Sequence, residues 1–147
     1  MEDTIGEILD EKGHIVHSIE PTATIADAVD SMCAHHVGAL VVCVDDVPVG
    51  IVTERDVMTR VVLKRLDPEG TSVEEAMTKD LVSVKPGTDL RQAMATMTER
   101  RCRHLPVVRE DHIVGMISMG DLVRAVSREQ SYEIRVLTNY ITGAYPG

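Results

Sequence analysis

An apolar run that ends in a hydroxyl residue, with a carboxylate three positions after it, occurs twice in this chain. The first copy is Gly50–Asp56 (GIVTERD) and the second is Gly115–Asp121 (GMISMGD). This spacing is that of a capping box, which is expected wherever a strand leads into a helix. The same geometry suits a nucleotide, because a helix N-terminus attracts phosphate and a carboxylate one turn further on can accept ribose hydroxyls. The motif therefore predicts either a helix cap alone or a cap that also holds a nucleotide.

The two motifs belong to a longer repeat, because the second half of the chain repeats the first at a constant offset of 65 residues. A period of this length exceeds the roughly 20 to 50 residues of a solenoid unit, so each copy is a small subdomain. We expect the copies to bury their apolar faces against one another about a pseudo-two-fold axis, leaving two related clefts between them. Matched residues include Pro21 with Pro86, Ala28 with Ala93, Leu40 with Leu105, Gly50 with Gly115 and Asp56 with Asp121.

Hydrophobic periodicity predicts the same order of elements, β-α-β-β-α, in each copy. The first copy has predicted strands at 15–19, 39–44 and 49–52, a helix from residue 25 with Thr24 and Asp27 in capping-box spacing, and a helix at 54–66. The second has strands at 82–84, 105–108 and 113–117 and helices at 90–100 and 119–126, and the hairpins turn at 45–46 and 110–111.

These elements predict an α+β fold in which a small sheet in each copy is covered by helices. The first subdomain is predicted over residues 7–66 and the second over 73–128, with a linker between them that contains Pro68 and Gly70. In the tail, residues 129–147, apolar residues recur at helical spacing. That predicts a short helix, which packs either on its own domain or in an oligomer contact.

Composition excludes several classes of protein. A net charge of −9 argues against general binding of nucleic acid or anionic membranes, and the absence of Phe and Trp leaves no platform for stacking single-stranded bases. We find no apolar run long enough to span a bilayer and no signal peptide, so a soluble cytoplasmic protein is expected. The odd number of cysteines, three, favours free thiols in a reducing compartment.

The doubled motif, Gly-h-h-Thr/Ser-x-x-Asp with h apolar, resembles that of a pair of CBS domains, the regulatory module named after cystathionine β-synthase. The resemblance covers about residues 7 to 128 and suggests a small stand-alone protein of the bacterial type. It implies that an adenosine-containing ligand such as AMP, ADP, ATP, NAD or S-adenosylmethionine binds in the clefts between the two units. In this family the Asp usually takes the ribose hydroxyls and the Thr or Ser the phosphate, while strands of the other unit flank the adenine.

Carried over residue by residue, the resemblance predicts two clefts of different charge. The basic residues 100–104 and Arg55 favour phosphate at the first cleft, whereas the matched positions of the second are uncharged, so weaker phosphate binding is expected there. The first cleft would combine Thr53, Arg55, Asp56, Val82, Arg103, His104, Leu105 and Pro106. The second would combine His17, Gly38, Ala39, Leu40, Ser118 and Asp121.

Other functions remain open from the residues alone. The histidines and three cysteines could ligate zinc, although none has paired ligand spacing, and a structural oligomerisation module without ligand is also compatible. Neither a Walker loop nor a nucleophile with its base is evident, so no catalytic residues and no enzyme activity are predicted. The preferred hypothesis is a homodimeric nucleotide sensor that regulates an unidentified protein in trans.

Overall fold

The computed structural model describes residues 4–128, which fold as two similar halves. The first half contains α1 (Ile5–Lys12), β1 (Ser18–Ile19), α2 (Ile25–His35), β2 (Ala39–Val44), β3 (Val47–Thr53) and α3 (Glu54–Val57), which continues as a π-helical turn (Met58–Val62). The second half contains α4 (Val73–Ala76), α5 (Leu90–Arg100), β4 (His104–Arg109) and β5 (His112–Ser118). It closes with α6, which is helical from 119 to the last described residue, 128.

Each half is built on an antiparallel hairpin, as the apolar alternation predicts. β2 pairs with β3, and β4 pairs with β5, with a register shift at matched positions after Val42 and after Val107. Both two-residue turns have positive φ angles, which is the geometry of tight hairpin turns. The α+β class and the pair of related subdomains predicted from the sequence are confirmed.

The first strand of each half is shorter than predicted. In the first half it is only β1, which pairs in parallel with β2, and Ile15 at the start of the predicted strand is 77% exposed. In the second half a single parallel bridge joins Val84 to Val107. Pro106 explains the difference. To extend the parallel pairing by one more hydrogen bond, residue 106 would have to donate a backbone N–H, and proline has none. In the first half the matched Val41 N–H donates to the His17 carbonyl at 3.2 Å.

The helix predicted over 54–66 is also shorter. α3 and its π-helical turn end at Val62, and Arg65 has a left-handed φ of 60°. The N–H groups of Arg65 and Leu66 donate back to the carbonyls of Val62 and Val61, as at a helix C-terminus. Leu63 and Leu66 are exposed, so no burial of apolar surface extends the helix through them.

The short helices α1 and α4, which the sequence analysis did not predict, are exchanged between the two halves. Ile5, Ile8 and Leu9 of α1 belong to the hydrophobic core of the second half, whereas Val73 and Ala76 of α4 belong to the core of the first. The helices lie close to the glycines of the motifs. A Cβ at Gly115 would lie 2.6 Å from Leu9 Cδ1, and one at Gly50 would lie 2.8 Å from the Thr78 carbonyl oxygen just after α4.

The remaining predictions concern caps, thiols and termini. Thr24 and Asp27 form the predicted capping box at α2, and all three cysteines are free thiols. Among the described residues, none of the helices has the length and apolar character to cross a membrane. The helix predicted in the tail at 129–147 lies outside the described residues.

Candidate ligand-binding clefts

The first motif places Thr53 at the end of β3 and Asp56 in the first turn of α3. The Asp56 N–H donates to Thr53 Oγ1 at 3.2 Å, and the Thr53 N–H donates to Asp56 Oδ2 at 3.0 Å. The Thr78 hydroxyl donates to Asp56 Oδ1 at 3.1 Å, and Arg60 Nε lies 3.8 Å from the same oxygen. The motif is therefore a capping box whose carboxylate, 7% exposed, also receives a hydroxyl from the segment after α4.

The second motif has the same cap but a different charge environment. Asp121 Oδ2 accepts from the Ser118 N–H at 2.8 Å and from Lys12 Nζ at 2.6 Å, while Arg124 donates to Oδ1 at 2.6 Å. Burial raises the pKa of Asp121, but the Lys12 ammonium and the Ser118 hydrogen bonds outweigh it and hold this pKa below its usual value. Both carboxylate oxygens are thus engaged by cations.

Residues outside the repeated motif cause this asymmetry. At the 65-residue offset, Lys12 corresponds to Met77 and Arg124 corresponds to Thr59, neither of which carries a charge. Among residues 4–128, the one cation paired with Asp56 is the more distant Arg60, whose guanidinium also donates to the Met77 carbonyl at 2.8 Å. Two nearly identical motifs therefore hold their carboxylates in different ways.

A cavity of about 460 Å³ opens between the two halves. Its walls come from the segment after α1, from the start of β2 and from the β4–β5 hairpin, so both repeats contribute. Four residues predicted for the second cleft line it together, and none of the described residues in its wall is acidic. The lining residues are Lys12, Gly13, Ile15, His17, His36, Val37, Gly38, Ala39, His104, Met116 and Ser118.

His104 lines this cavity together with residues that were predicted for the second cleft, whereas the sequence placed it in the first cleft. The reason is the register of the hairpin, which pairs His104 directly with Ser118. Asp121 does not line this cavity. It lines a neighbouring one of about 410 Å³ together with Lys12 and Arg124.

Several other predicted site residues are buried or half-buried. Leu40 and Leu105 are fully buried, one in each core, and Pro106 is buried in β4. Val82 is half-buried against the core of the second half.

The arginines predicted for the first cleft lie at the surface. Arg55 and Arg103 are both exposed, and the Arg103 carbonyl accepts the Met119 N–H at 2.8 Å, as the Gly38 carbonyl accepts the Glu54 N–H at 2.9 Å. Arg100, also in the basic cluster, forms an ion pair with Asp80 at 2.8 Å. The second cleft gains instead a cation that the sequence did not indicate. Lys12 reaches it because α1 is exchanged, which corrects the expectation of an uncharged second cleft.

Two histidines of the cavity have lowered pKa values. Burial lowers the pKa of His104, with Lys12 and Arg103 adding to the effect while Glu54 and Asp121 oppose it. The pKa of His17 is lowered by burial and by His35, whose ring stacks on it at 3.9 Å. Both imidazoles are therefore mainly uncharged at neutral pH and can gain a proton as the pH falls.

The described residues outside these clefts form no metal site, and they line a further cavity. Within residues 4–128, no group of three or more His, Cys, Asp or Glu side chains could hold a metal ion. The further cavity, of about 550 Å³, lies beside α1 and the start of β5 and contains none of the predicted site residues.

Comparison with known proteins identifies the repeat. Residues 3–63 and 73–128 each match the CBS domain. A mitochondrial CBS-domain protein of Arabidopsis thaliana, CBSX3, is 41% identical over 127 residues, which are 83% of this chain and 62% of that protein, so the chain spans less than two thirds of this relative. A CBS-domain protein from Burkholderia ambifaria, provisionally assigned to signal transduction, is 38% identical with a TM-score of 0.82 and covers 86% of this chain and 96% of its own.

Some similar proteins form larger assemblies. A hexameric CBS-CP12 protein from bloom-forming cyanobacteria is 31% identical, with a TM-score of 0.75, over 84% of this chain and 67% of its own. The fold and the domain pair are thus shared with a protein that forms a hexamer.

Proposed function

Because the chain belongs to the CBS-domain family and carries two such domains, we propose that it binds an adenosine-containing ligand between them and thereby regulates another protein. The observation that carries this proposal is the 460 Å³ cavity, whose wall combines residues of both repeats. Small-molecule sites typically have volumes of about 300 to 1,000 Å³. A ligand that touches both repeats can favour one arrangement of the two over another, which is what regulation requires.

The chemistry of the cavity supports a nucleotide. Ile15, Val37 and Ala39 offer aliphatic surface for a purine ring, which fits a chain without Phe or Trp. Ser118 lies at the N-terminal end of α6, where the helix dipole favours a phosphate. We therefore propose AMP, ATP, NAD or S-adenosylmethionine as the class of ligand for this cleft.

The first cleft is proposed to bind the same class of ligand through Asp56. Its Oδ1 atom has the neutral Thr78 hydroxyl as its close partner, and a ribose hydroxyl can replace that partner without separating an ion pair. Thr53 would lie nearest the phosphate, and the exposed Arg55 and Arg103 can turn towards it. The proposed role of Asp56 is to accept the ribose hydroxyls.

Calorimetric titration of AMP, ATP, NAD and S-adenosylmethionine into the purified protein tests this function. Asp56→Ala should abolish ligand binding at the first cleft. The protein should stay folded, because loss of a helix cap lowers the free energy of unfolding by only about 0.5 to 2 kcal/mol. Asp27→Ala is the matched control, because Asp27 completes the same kind of capping box at α2. Unchanged affinity and stoichiometry for AMP in folded Asp56→Ala would show that the assignment is wrong.

We further propose that the protein acts without catalysis and as a homodimer. Met58, Val62 and Leu63 on the turn after α3 are between 53% and 69% exposed, and Val123, the repeat equivalent of Met58, is 49% exposed. Such a cluster of exposed aliphatic side chains favours contact with another protein surface. A cytoplasmic location and regulation of a partner in trans remain part of this proposal.

A further inference from the structure

We propose that Lys12 makes the second cleft selective for ligands that carry a phosphate. The Lys12 ammonium blocks access to the Asp121 carboxylate until an anionic ligand gives the ammonium another partner. This inference rests on the proposed function and specifies the ligand class of one cleft. It concerns a residue outside both repeated motifs.

The contacts of Asp121 leave no oxygen free for a ribose. Lys12 Nζ lies 2.6 Å from Oδ2, which also accepts from the Ser118 N–H and hydroxyl, and Arg124 occupies Oδ1 at 2.6 Å. The Asp121 side chain is 6% exposed, so it cannot turn away to meet a ligand. A ribose hydroxyl can reach Oδ2 only if Lys12 leaves it.

Lys12 also stands between the ligand cavity and the carboxylate. It lines both the 460 Å³ cavity between the repeats and the neighbouring 410 Å³ cavity, and it is the one described residue that the two walls share. Asp121 lines only the second of these. Movement of the Lys12 side chain would therefore connect the space for the ligand with the acceptor for its ribose.

Lys12 is able to make this movement. Its side chain is 35% exposed. The contacts that hold it, with Asp121 and with the Met116 carbonyl at 2.7 Å, are both made by the ammonium at the end of this side chain. A lysine presents a charge on a flexible stem, so its ammonium can change partners without a change in the backbone.

The cost of that movement depends on the ligand. A nucleoside brings no anionic group for the ammonium, and none of the described residues that line the cavity is acidic, although the carboxylate of Glu54 lies beside Gly38. A phosphate supplies the missing partner, and charge-assisted hydrogen bonds are stronger than neutral ones. His17, His36 and His104 face the same space and add no negative charge. The cleft should therefore bind a nucleotide and reject the corresponding nucleoside.

The test compares AMP with adenosine by calorimetry at the second cleft alone, in an Asp56→Ala background. AMP should bind at least about tenfold more tightly than adenosine, the ratio expected for one charge-assisted contact. Adding Lys12→Met, which introduces the residue found at the matched position 77, should weaken AMP binding and strengthen adenosine binding. The two dissociation constants should then differ by less than about threefold. Lys12→Arg, which keeps the charge, should preserve the preference. An unchanged ratio in Lys12→Met would overturn the inference.

Inorganic pyrophosphate separates this inference from the proposed function. It should shift the NMR signals of the His17 and His104 rings, and Lys12→Met should reduce that binding at least about tenfold. Pyrophosphate binding that depends on Lys12 supports the inference even if no adenosine ligand binds, a result that would reject the proposed function alone. If neither AMP nor pyrophosphate shows binding that depends on Lys12, the inference is wrong.

Discussion

The two motif aspartates show how far a local sequence pattern determines a site. The spacing of Thr53 with Asp56, and of Ser118 with Asp121, predicts the capping boxes that the structure contains. It does not predict their charge environment, because Lys12 lies 109 positions before Asp121 and reaches it only through the exchange of α1. A contact of this kind depends on tertiary packing, and its only local signal is a lysine at the end of a short amphipathic segment.

The ion pairs of Asp121 should make stability depend on pH in the acid range. Because the folded-state pKa is lowered, the carboxylate stabilises the protein above its unfolded pKa of about 3.9, and this stabilisation is lost as the pH falls through the lower folded value. Asp121→Asn should cost about 1.5 to 3 kcal/mol of unfolding free energy at pH 7. Urea unfolding from pH 7 to pH 2.5 measures the difference from wild type, which should shrink below about pH 4.

Asp10→Asn is the control for this experiment, because Asp10 pairs with His14 at the surface. Exposed pairs contribute about 0 to 1 kcal/mol, so this variant should show little change at any pH. A difference for Asp121→Asn that stays constant down to pH 2.5 would contradict the role given to its ion pairs.

At the level of elements, the sequence predicts the hairpins well and the first strands poorly. β2 and residues 105–108 of β4 are apolar runs followed by turns that carry Asp and Glu, which makes them easy to locate. The first strand of the second half is reduced to one bridge because Pro106 has no N–H to donate. α1 and α4 escaped prediction since they are short, although Ile5, Ile8 and Leu9 have the spacing of one helix face.

The close approach of the exchanged segments to Gly50 and Gly115 gives a test at this scale. Gly50→Ala should lower the free energy of unfolding by about 1 to 3 kcal/mol, because the new methyl group meets the carbonyl of Thr78, a residue that is held to Ile51 by two backbone hydrogen bonds. Gly115→Ala should cost less, since the new contact is with the end of the Leu9 side chain. Thermal and urea unfolding of both variants would show which of them loses more unfolding free energy.

Gly87→Ala provides the matched control, because a Cβ there meets nothing within 4 Å. Its effect should stay within about 0.5 kcal/mol of wild type. If Gly115→Ala is the more damaging of the two motif variants, α1 is packed more rigidly than the contacts of Leu9 indicate.

At the scale of the whole molecule, exchange of the short helices joins the two repeats into one unit. The core of each half is completed by side chains that belong to the other repeat in sequence, so neither half buries its apolar surface alone. The sequence predicted two related subdomains from the 65-residue offset. It could not show the exchange, because a repeat pattern is the same whichever copy a helix joins.

The exposed apolar side chains after α3 should determine the state of association. Leu63→Glu places a charge where the proposed homodimer buries a side chain that is 69% exposed in one chain. It should raise the dimer dissociation constant by at least about tenfold, as expected for loss of a central apolar contact. Sedimentation velocity at micromolar concentration would measure the change. Val47→Glu, on the β2–β3 hairpin, is the control and should not alter sedimentation. A wild-type protein that sediments as a monomer would rule out this dimer.

The exchange of α1 also has a consequence for biosynthesis. α1 is translated before the surface that buries Ile5, Ile8 and Leu9 is complete, because this surface includes Leu122, which follows about 110 residues later. At about 5 to 20 residues per second, this delay amounts to roughly 5 to 20 s. During that interval the nascent chain exposes an apolar helix face whose partner does not yet exist, which is a period when chaperones can bind it or neighbouring chains can capture it.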